Sequence, residues 1–150
     1  MVDKTSIRLA YSDDIPAMVK LLSELFAIED DFTIDADKQS RGLELLLHSP
    51  QSIILVAEIQ NSVVGMISLQ RIISTAIGAD VGIIEDVVVS ESHRGYGIGT
   101  KLLEAAIDEG TSREWGRLGL GVDLRNTKAI AFYQKYGFET SNMGLMYRIA

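Results

Sequence analysis

Eight consecutive residues, Arg94-Gly95-Tyr96-Gly97-Ile98-Gly99-Thr100-Lys101, carry the types and spacing that most directly suggest chemistry. Glycines free the backbone of Cβ atoms. Where such a loop opens a helix, first-turn N–H groups and the positive end of the helix dipole face the same spot, a ready place for an anion. A phosphate group is the natural guest, although the same glycines also suffice for a tight turn. A P-loop needs four residues between its first glycine and a Gly-Lys-Ser/Thr triplet, and that arrangement is absent. A dinucleotide loop opens Gly-x-Gly-x-x-Gly directly after the first strand of its βαβ unit, with an acid such as Asp123 for the ribose. Here Ser90 to Arg94 separate strand from glycine, the third glycine comes one position early, and too little chain follows Asp123 for such a sheet.

Just upstream, Glu85 and Asp86 interrupt the apolar run Ile83-Ile84 and Val87-Val88-Val89. On a regular strand the two carboxylates face opposite sides, and an ionised carboxylate among Ile and Val is costly without a polar partner or task. The run is apolar on both faces, which places it in the middle of a sheet.

The elements that must hold these residues follow from periodicity. Ser6 to Leu9 alternates as a strand, and Asp13 is a candidate cap for a helix with Pro16 in its first turn. Ile15, Met18, Val19, Leu22 and Phe26 form one apolar helical face, and a second helical segment runs toward Leu43, Leu46 and Leu47. Between them, Glu24, Glu29, Asp30, Asp31, Asp35 and Asp37 occur without one Lys or Arg. Ser52 to Ile59 and Val63 to Ile73 read as a hairpin turning at Gln60-Asn61-Ser62. After the glycine loop, a helix with Leu102, Leu103, Ala106 and Ile107 inward is expected to close at Gly110. Leu118 to Leu124 is expected as a strand, Thr127 to Tyr136 as a helix ended by Gly137, and Met143 to Ile149 as a last strand. The order predicts one α/β domain over residues 1–150.

Composition bounds the function. A chain of 150 residues with 47% hydrophobic side chains has the core of one packed domain, not of a disordered segment. A net charge of −7 has the wrong sign for a surface that grips nucleic acid or anionic lipid. Zero Cys and two His, His48 and His93, leave no expected metal site and suit a reducing, cytoplasmic setting. No apolar run reaches the ~20 residues of a membrane span, and the polar start does not read as a signal peptide. His93 reads as a loop residue and Trp115 as a packing residue.

With Arg94 as anchor, the loop matches Arg/Gln-x-x-Gly-x-Gly/Ala, and Asn126, Ala129, Phe132, Tyr133, Gly137 and Phe138 match Asn-x-x-Ala-x-x-Phe-Tyr-x-x-x-Gly-Phe. In both motifs the chain resembles the GNAT superfamily of acetyl-CoA-dependent N-acetyltransferases. The resemblance implies an α/β fold with a mixed, mostly antiparallel sheet of six to seven strands and about four helices, splayed between strands four and five. It implies acetyl-CoA as co-substrate, no metal, and a homodimer as a common assembly. The stretch Ile84 to Val89, with Asp123 as an acid on the fifth strand, is locally similar to the glucosamine-6-phosphate N-acetyltransferase branch; the N-terminal half carries no equal match.

The same resemblance implies that main chain at Val87, Val88 and Val89 pairs with the pantetheine arm. It implies that amides of Arg94, Gly95, Tyr96, Gly97, Ile98, Gly99 and Thr100 hold the pyrophosphate. Asn126, otherwise an N-cap, and Phe132 would contact the cofactor, and Tyr133, otherwise a core aromatic, would return a proton to the leaving thiolate. Acetyl transfer to an amine also needs a proton acceptor. Glu85 is the first candidate and Asp86 the second, with Asp123 more suited to orienting the acceptor. No Cys nucleophile, Gly-x-Ser-x-Gly elbow or His-x-x-x-Asp sequence offers another route. The expected partner is a primary amine of a small molecule or peptide. An acyl-CoA sensor without turnover is the alternative. The acidic run, with Glu29 and Asp30, would complement a cationic acceptor, or is ordinary solvated charge.

Overall fold

The computed structural model describes residues 4–29 and 33–150. Five strands form one sheet in chain order: β1 (Ser6–Leu9), β2 (Ser52–Ile59), β3 (Ser62–Ser74), β4 (Ala79–Val89) and β5 (Leu118–Leu120). All neighbours are antiparallel except β4 and β5, which are parallel and joined through the helix α3 (Ile98–Ser112). Parallel neighbours require such a crossover. Two helices, α1 (Ile15–Ile28) and α2 (Ala36–His48), precede β2, and α4 (Thr127–Lys135) follows β5. No helix among the described residues is long and apolar enough to cross a membrane.

The sheet buries both faces. On one side, Leu102, Leu103 and Ala106 of α3 pack with Ile53, Leu55, Ile67, Leu69 and Ile84, and Phe132, Tyr133 and Tyr136 close that layer from the α4 side. On the other, Met18, Leu21 and Leu22 of α1 and Leu43 of α2 pack with Ile54, Val56, Met66 and Val88. The apolar helical stripes thus cover opposite faces of one strand layer. The β2–β3 hairpin turns through Gln60 and Asn61, both left-handed at φ 49° and 64°, the geometry of a two-residue type I′ turn.

Several expectations are corrected. The helix α1 starts after Asp14, not after a side-chain cap from Asp13; Ser12–Asp14 is a short 3₁₀ turn. Buried Asp14 accepts from both terminal nitrogens of Arg8, at 2.8 and 3.0 Å, and from the Tyr11 N–H at 2.9 Å. Burial alone would raise its pKa, but these hydrogen bonds and the Arg8 charge hold it below the usual carboxylate range. Gly110 does not end α3; it lies within it, buried, because a Cβ there would stand 3.2 Å from Leu118 Cδ2. The chain leaves the helix at Arg113 and turns at Glu114, φ 59°.

Among the described residues the sheet has five strands where six to seven were expected. Segment Leu118 to Leu124 is a strand only to Leu120, and Met143 to Ile149 joins no ladder. Apolar alternation marks a segment that can lie on a sheet, but a strand also needs a free neighbouring edge in register. Beyond Leu120 the chain turns toward α4, with the Asn126 N–H donating to the Asp123 carbonyl at 2.9 Å. Leu145 still lies beside Gly121, 3.4 Å from where its Cβ would be, while Met143, Met146 and Ile149 are exposed.

Candidate active site

A wedge opens in the sheet at the parallel pair of β4 and β5. Pairing between β4 and β5 runs from Gly82–Leu118 to Ile84–Leu120 and stops, while β4 continues to Val89. From Glu85 to Val89 the β5 side of β4 therefore has no ladder partner among the described residues, as a splay between strands four and five requires.

A bulge re-aims β4 at the wedge. Ser68 of β3 pairs with Glu85 and Met66 with Val88, so Asp86 and Val87 together oppose the single residue Ile67. Asp86 takes φ 55°, a left-handed conformation that Asp tolerates better than most residues because its short side chain can bond locally. The bulge resets the alternation. Ile84 and Val87, three apart, both pack on the α3 side, while Asp86 and Val88 face α1 and α2. Glu85 and Asp86 thus do not divide between the faces as a regular strand predicts.

The two carboxylates differ in environment. Glu85 is exposed. Asp86 lines a cavity of about 480 Å³ between α1, α2 and β4, walled by Leu22, Phe26, Leu43 and Leu46. Burial, together with the charges of Glu85 and Glu29, pushes its pKa up to about 6, against a weaker opposing hydrogen bond from Ser68. Ser68 is itself fully buried and donates to the Glu85 carbonyl at 3.0 Å. A carboxylate with a pKa near 6 is ionised at neutral pH yet basic enough to take a proton.

The glycine loop stands at the other end of the wedge. Gly95 and Gly97 adopt φ 85° and 80°, and a Cβ at either would meet nothing within 4 Å. Their role is therefore backbone conformation with open space in front. Gly97 caps α3 without a side-chain hydrogen bond, so the first-turn N–H groups of Ile98, Gly99 and Thr100 face that space. This is the arrangement a pyrophosphate requires, and these residues fit it. Arg94 holds the loop against the strand: its Nε donates to the Val89 carbonyl at 2.9 Å, and its guanidinium lies 3.9 Å from Glu24. Glu24 also accepts from the Glu91 N–H at 2.9 Å. Tyr96 is exposed, and His93 contacts only its neighbours Ser90 and Ser92 through Nδ1.

The helix α4 packs its aromatic face here. Phe132 meets Tyr133 and Tyr136 edge-on and lies 3.9 Å from a Cβ at Gly99; Tyr133 meets Phe138. The Tyr136 hydroxyl donates to Thr100 Oγ1 at 3.1 Å, pinning α4 to the start of α3. The Tyr133 hydroxyl has no hydrogen-bond partner among the described residues. Burial and the charge of Glu29 raise its pKa, so it is a protonated donor at neutral pH. The charge of Glu29 helps raise the pKa of both groups, although Tyr133 packs with the α3-side layer and Asp86 lines the cavity on the α1 and α2 side. Asn126 caps α4, accepting from the Ala129 N–H at 3.0 Å.

Other sequence candidates fall elsewhere. Asp123 is not on β5 but in the turn before α4, ion-paired to Arg125 at 2.7 Å; hydrogen bonds from Arg125 hold its pKa down to about 2. Asp30 lies outside the described residues. Asp31 lies outside them too; of the described members of the acidic run, Glu24 is on α1 and Asp35 caps α2 through the Lys38 N–H at 3.1 Å. Among the described residues no group of three His, Asp or Glu is placed to hold a metal. Sequence reasoning missed Ser68, Tyr136 and Gln39. For Gln39 a signal existed: it sits one turn before Leu43 on the inward stripe of α2, where a polar residue is out of place.

The Acetyltransferase (GNAT) family model matches residues 16–138. An uncharacterized N-acetyltransferase of Methanocaldococcus jannaschii is 27% identical over 141 residues; these are 93% of this chain but 62% of that relative, so the chain spans less than two thirds of its length. Of solved structures, a transcriptional regulator from Bacillus halodurans superposes with a TM-score of 0.86 at 25% identity, over 97% of this chain and 99% of that one. A predicted acetyltransferase with acetyl-CoA from Clostridium acetobutylicum superposes with a TM-score of 0.79 at 20% identity, over 96% of both chains.

Proposed function

Because the chain belongs to the GNAT acetyltransferase family, we propose that it is an N-acetyltransferase that moves an acetyl group from acetyl-CoA directly to a primary amine of a small molecule or peptide. The observation that supports this reading is Asp86, a carboxylate of raised basicity in the cavity lining, on the strand whose edge is left unpaired from Glu85 onward. In this reading residues 1–150 act as one domain.

The first-turn amides of α3 and the loop Arg94 to Thr100 take the pyrophosphate, and the free edge of β4 at Val87 to Val89 takes the pantetheine arm. The Val89 carbonyl is already bound by Arg94, so that residue contributes through its other main-chain groups. The co-substrate supplies an activated thioester. Asp86 accepts the proton that the acceptor ammonium must lose, directly or through water, and is preferred to exposed Glu85 because burial raises its basicity. The amine nitrogen bonds to the thioester carbon, the carbon–sulfur bond breaks, the Tyr133 O–H supplies the proton that the departing thiolate takes up, and the proton the nitrogen sheds as it becomes an amide restores Tyr133 through water. Attack is direct, so no protein nucleophile is needed. An amino sugar phosphate is disfavoured by Asp86 and Asp35 in the cavity lining, opposed among the described lining residues by Lys38.

Release of free CoA thiol over a panel of primary amines, with the acetylated product identified by mass, tests the reading. Turnover of one or more amines is expected. Stabilisation by CoA with no thiol release from any amine would instead mark an acyl-CoA-binding module.

A further inference from the structure

Gln39 is 7% exposed and lines the same cavity as Asp86, yet neither its Nε2 nor its Oε1 has a hydrogen-bond partner among the described residues. Leaving a buried donor or acceptor unpaired costs the full desolvation of that group. An apolar side chain at this point of the α2 stripe would avoid that cost.

We propose that Gln39 recognises a carboxamide adjacent to the reactive amine, so that the acceptor is a peptide N-terminus or an amino-acid amide with an apolar side chain. The inference rests on the acetyltransferase reading and names the substrate class of that same cavity. A glutamine carboxamide presents two donors and an acceptor side by side. A ligand amide offers the complementary pair and satisfies both at once. A free carboxylate pairs only with Nε2–H and meets Oε1, Asp86 and Asp35 unfavourably; an ammonium pairs only with Oε1; an alkyl chain pairs with neither. Discrimination by buried polar groups is strong because the wrong ligand leaves them unpaired. Leu22, Phe26, Leu43 and Leu46 supply the complement to an aliphatic side chain. The proton balance agrees, since an α-amine next to an amide loses its proton near pH 8, against roughly 10 for a lysine-type amine. A carboxylate base like Asp86 deprotonates it far more readily.

Calorimetric titration of the full chain with leucinamide, leucine and isopentylamine in saturating CoA, for wild type and Gln39→Leu, tests this apart from turnover. Wild type is expected to bind leucinamide at least tenfold more tightly than either analogue. Gln39→Leu should erase that preference while the CoA-induced rise in Tm stays intact, which also shows that the variant folds; Gln39→Glu, with its donors gone, should weaken leucinamide binding likewise. Equal leucinamide affinity in wild type and Gln39→Leu, or tighter wild-type binding of isopentylamine or leucine, overturns the inference. Its failure is distinct from failure of the acetyltransferase reading: thiol release from another amine without Gln39-dependent leucinamide binding rejects only the inference, and Gln39-dependent binding without thiol release rejects only the enzyme.

Discussion

Asp86 concentrates three properties in one residue: a left-handed backbone, burial, and the charges of Glu85 and Glu29 nearby. A general base contributes on the order of 10²–10⁴ in rate, so in the role proposed for Asp86 the variant Asp86→Asn, which retains shape and tolerance of positive φ, should lower kcat/KM by that order. Wild-type kcat/KM should rise with pH through about 6. Stability should move the opposite way. The folded pKa of about 6 lies above the ordinary 3.8, so the advantage of the protonated form is complete below 3.8 and lost as pH rises through 6. At about 1.36 kcal/mol per pH unit the loss reaches roughly 3 kcal/mol at most. Asp86→Asn should therefore melt several degrees higher than wild type at pH 8 and no higher at pH 4, as thermal unfolding across that range will show. Tyr133→Phe removes only the proton-donating oxygen. It should keep the CoA-induced rise in Tm while lowering kcat about 10²-fold or more, an effect visible in single-turnover kinetics.

At the scale of the element, the start of α3 and the packing of β4 obey different constraints. Gly97→Ala places a Cβ at φ 80° where it meets nothing. The fold should survive at a cost of about 1–2 kcal/mol of backbone strain, whereas the Cβ enters the space an anion would occupy. Thermal shift with CoA should show a modestly lower starting Tm and a much smaller rise. Gly82 is the reverse case. Its absent Cβ would come within 2.5 Å of the Trp115 ring and 2.8 Å of Leu118, so Gly82→Ala should push α3's exit and β5 off β4. Overpacking of this kind costs about 1–3 kcal/mol or more. Denaturant unfolding should detect it, with the wedge disturbed because Gly82–Leu118 is the far end of the three-pair ladder whose other end, Ile84–Leu120, bounds the wedge.

Across the whole molecule, one buried and one half-buried carboxylate set opposing pH limits. Asp14, held low by Arg8 and by the Tyr11 N–H, stabilises the fold above about pH 3.8 and loses that contribution as pH falls through its depressed pKa. Asp86 destabilises as pH rises toward 6 and beyond, and a net charge of −7 adds self-repulsion on that side. The ligand-free protein should accordingly have its highest Tm between about pH 4 and 6, and Asp86→Asn should flatten the alkaline decline while leaving the acid one. A Tm that rises steadily from pH 5 to 8 would contradict this arrangement of the two groups.

Much of the site was legible because its chemistry is local. Eight consecutive residues contain the positive-φ glycines, the uncapped helix start and Arg94, and none of these depends on distant chain. The stripes of α1 and α2, the Gln60–Asn61 turn and the α4 cap at Asn126 are local in the same sense. Three matters required tertiary structure. The preference for Asp86 over Glu85 depends on the β3–β4 register, since one extra residue opposite Ile67 decides which carboxylate enters the cavity. The failure of Met143 to Ile149 to become a strand depends on whether a neighbouring edge is offered, which alternation along one segment does not encode. Gln39 and Asp86 belong to one cavity only because α2 is laid across β4. A sequence specifies which residues are apolar, flexible or charged, but burial and partnership are properties of pairs far apart in the chain, and the folded backbone alone determines them.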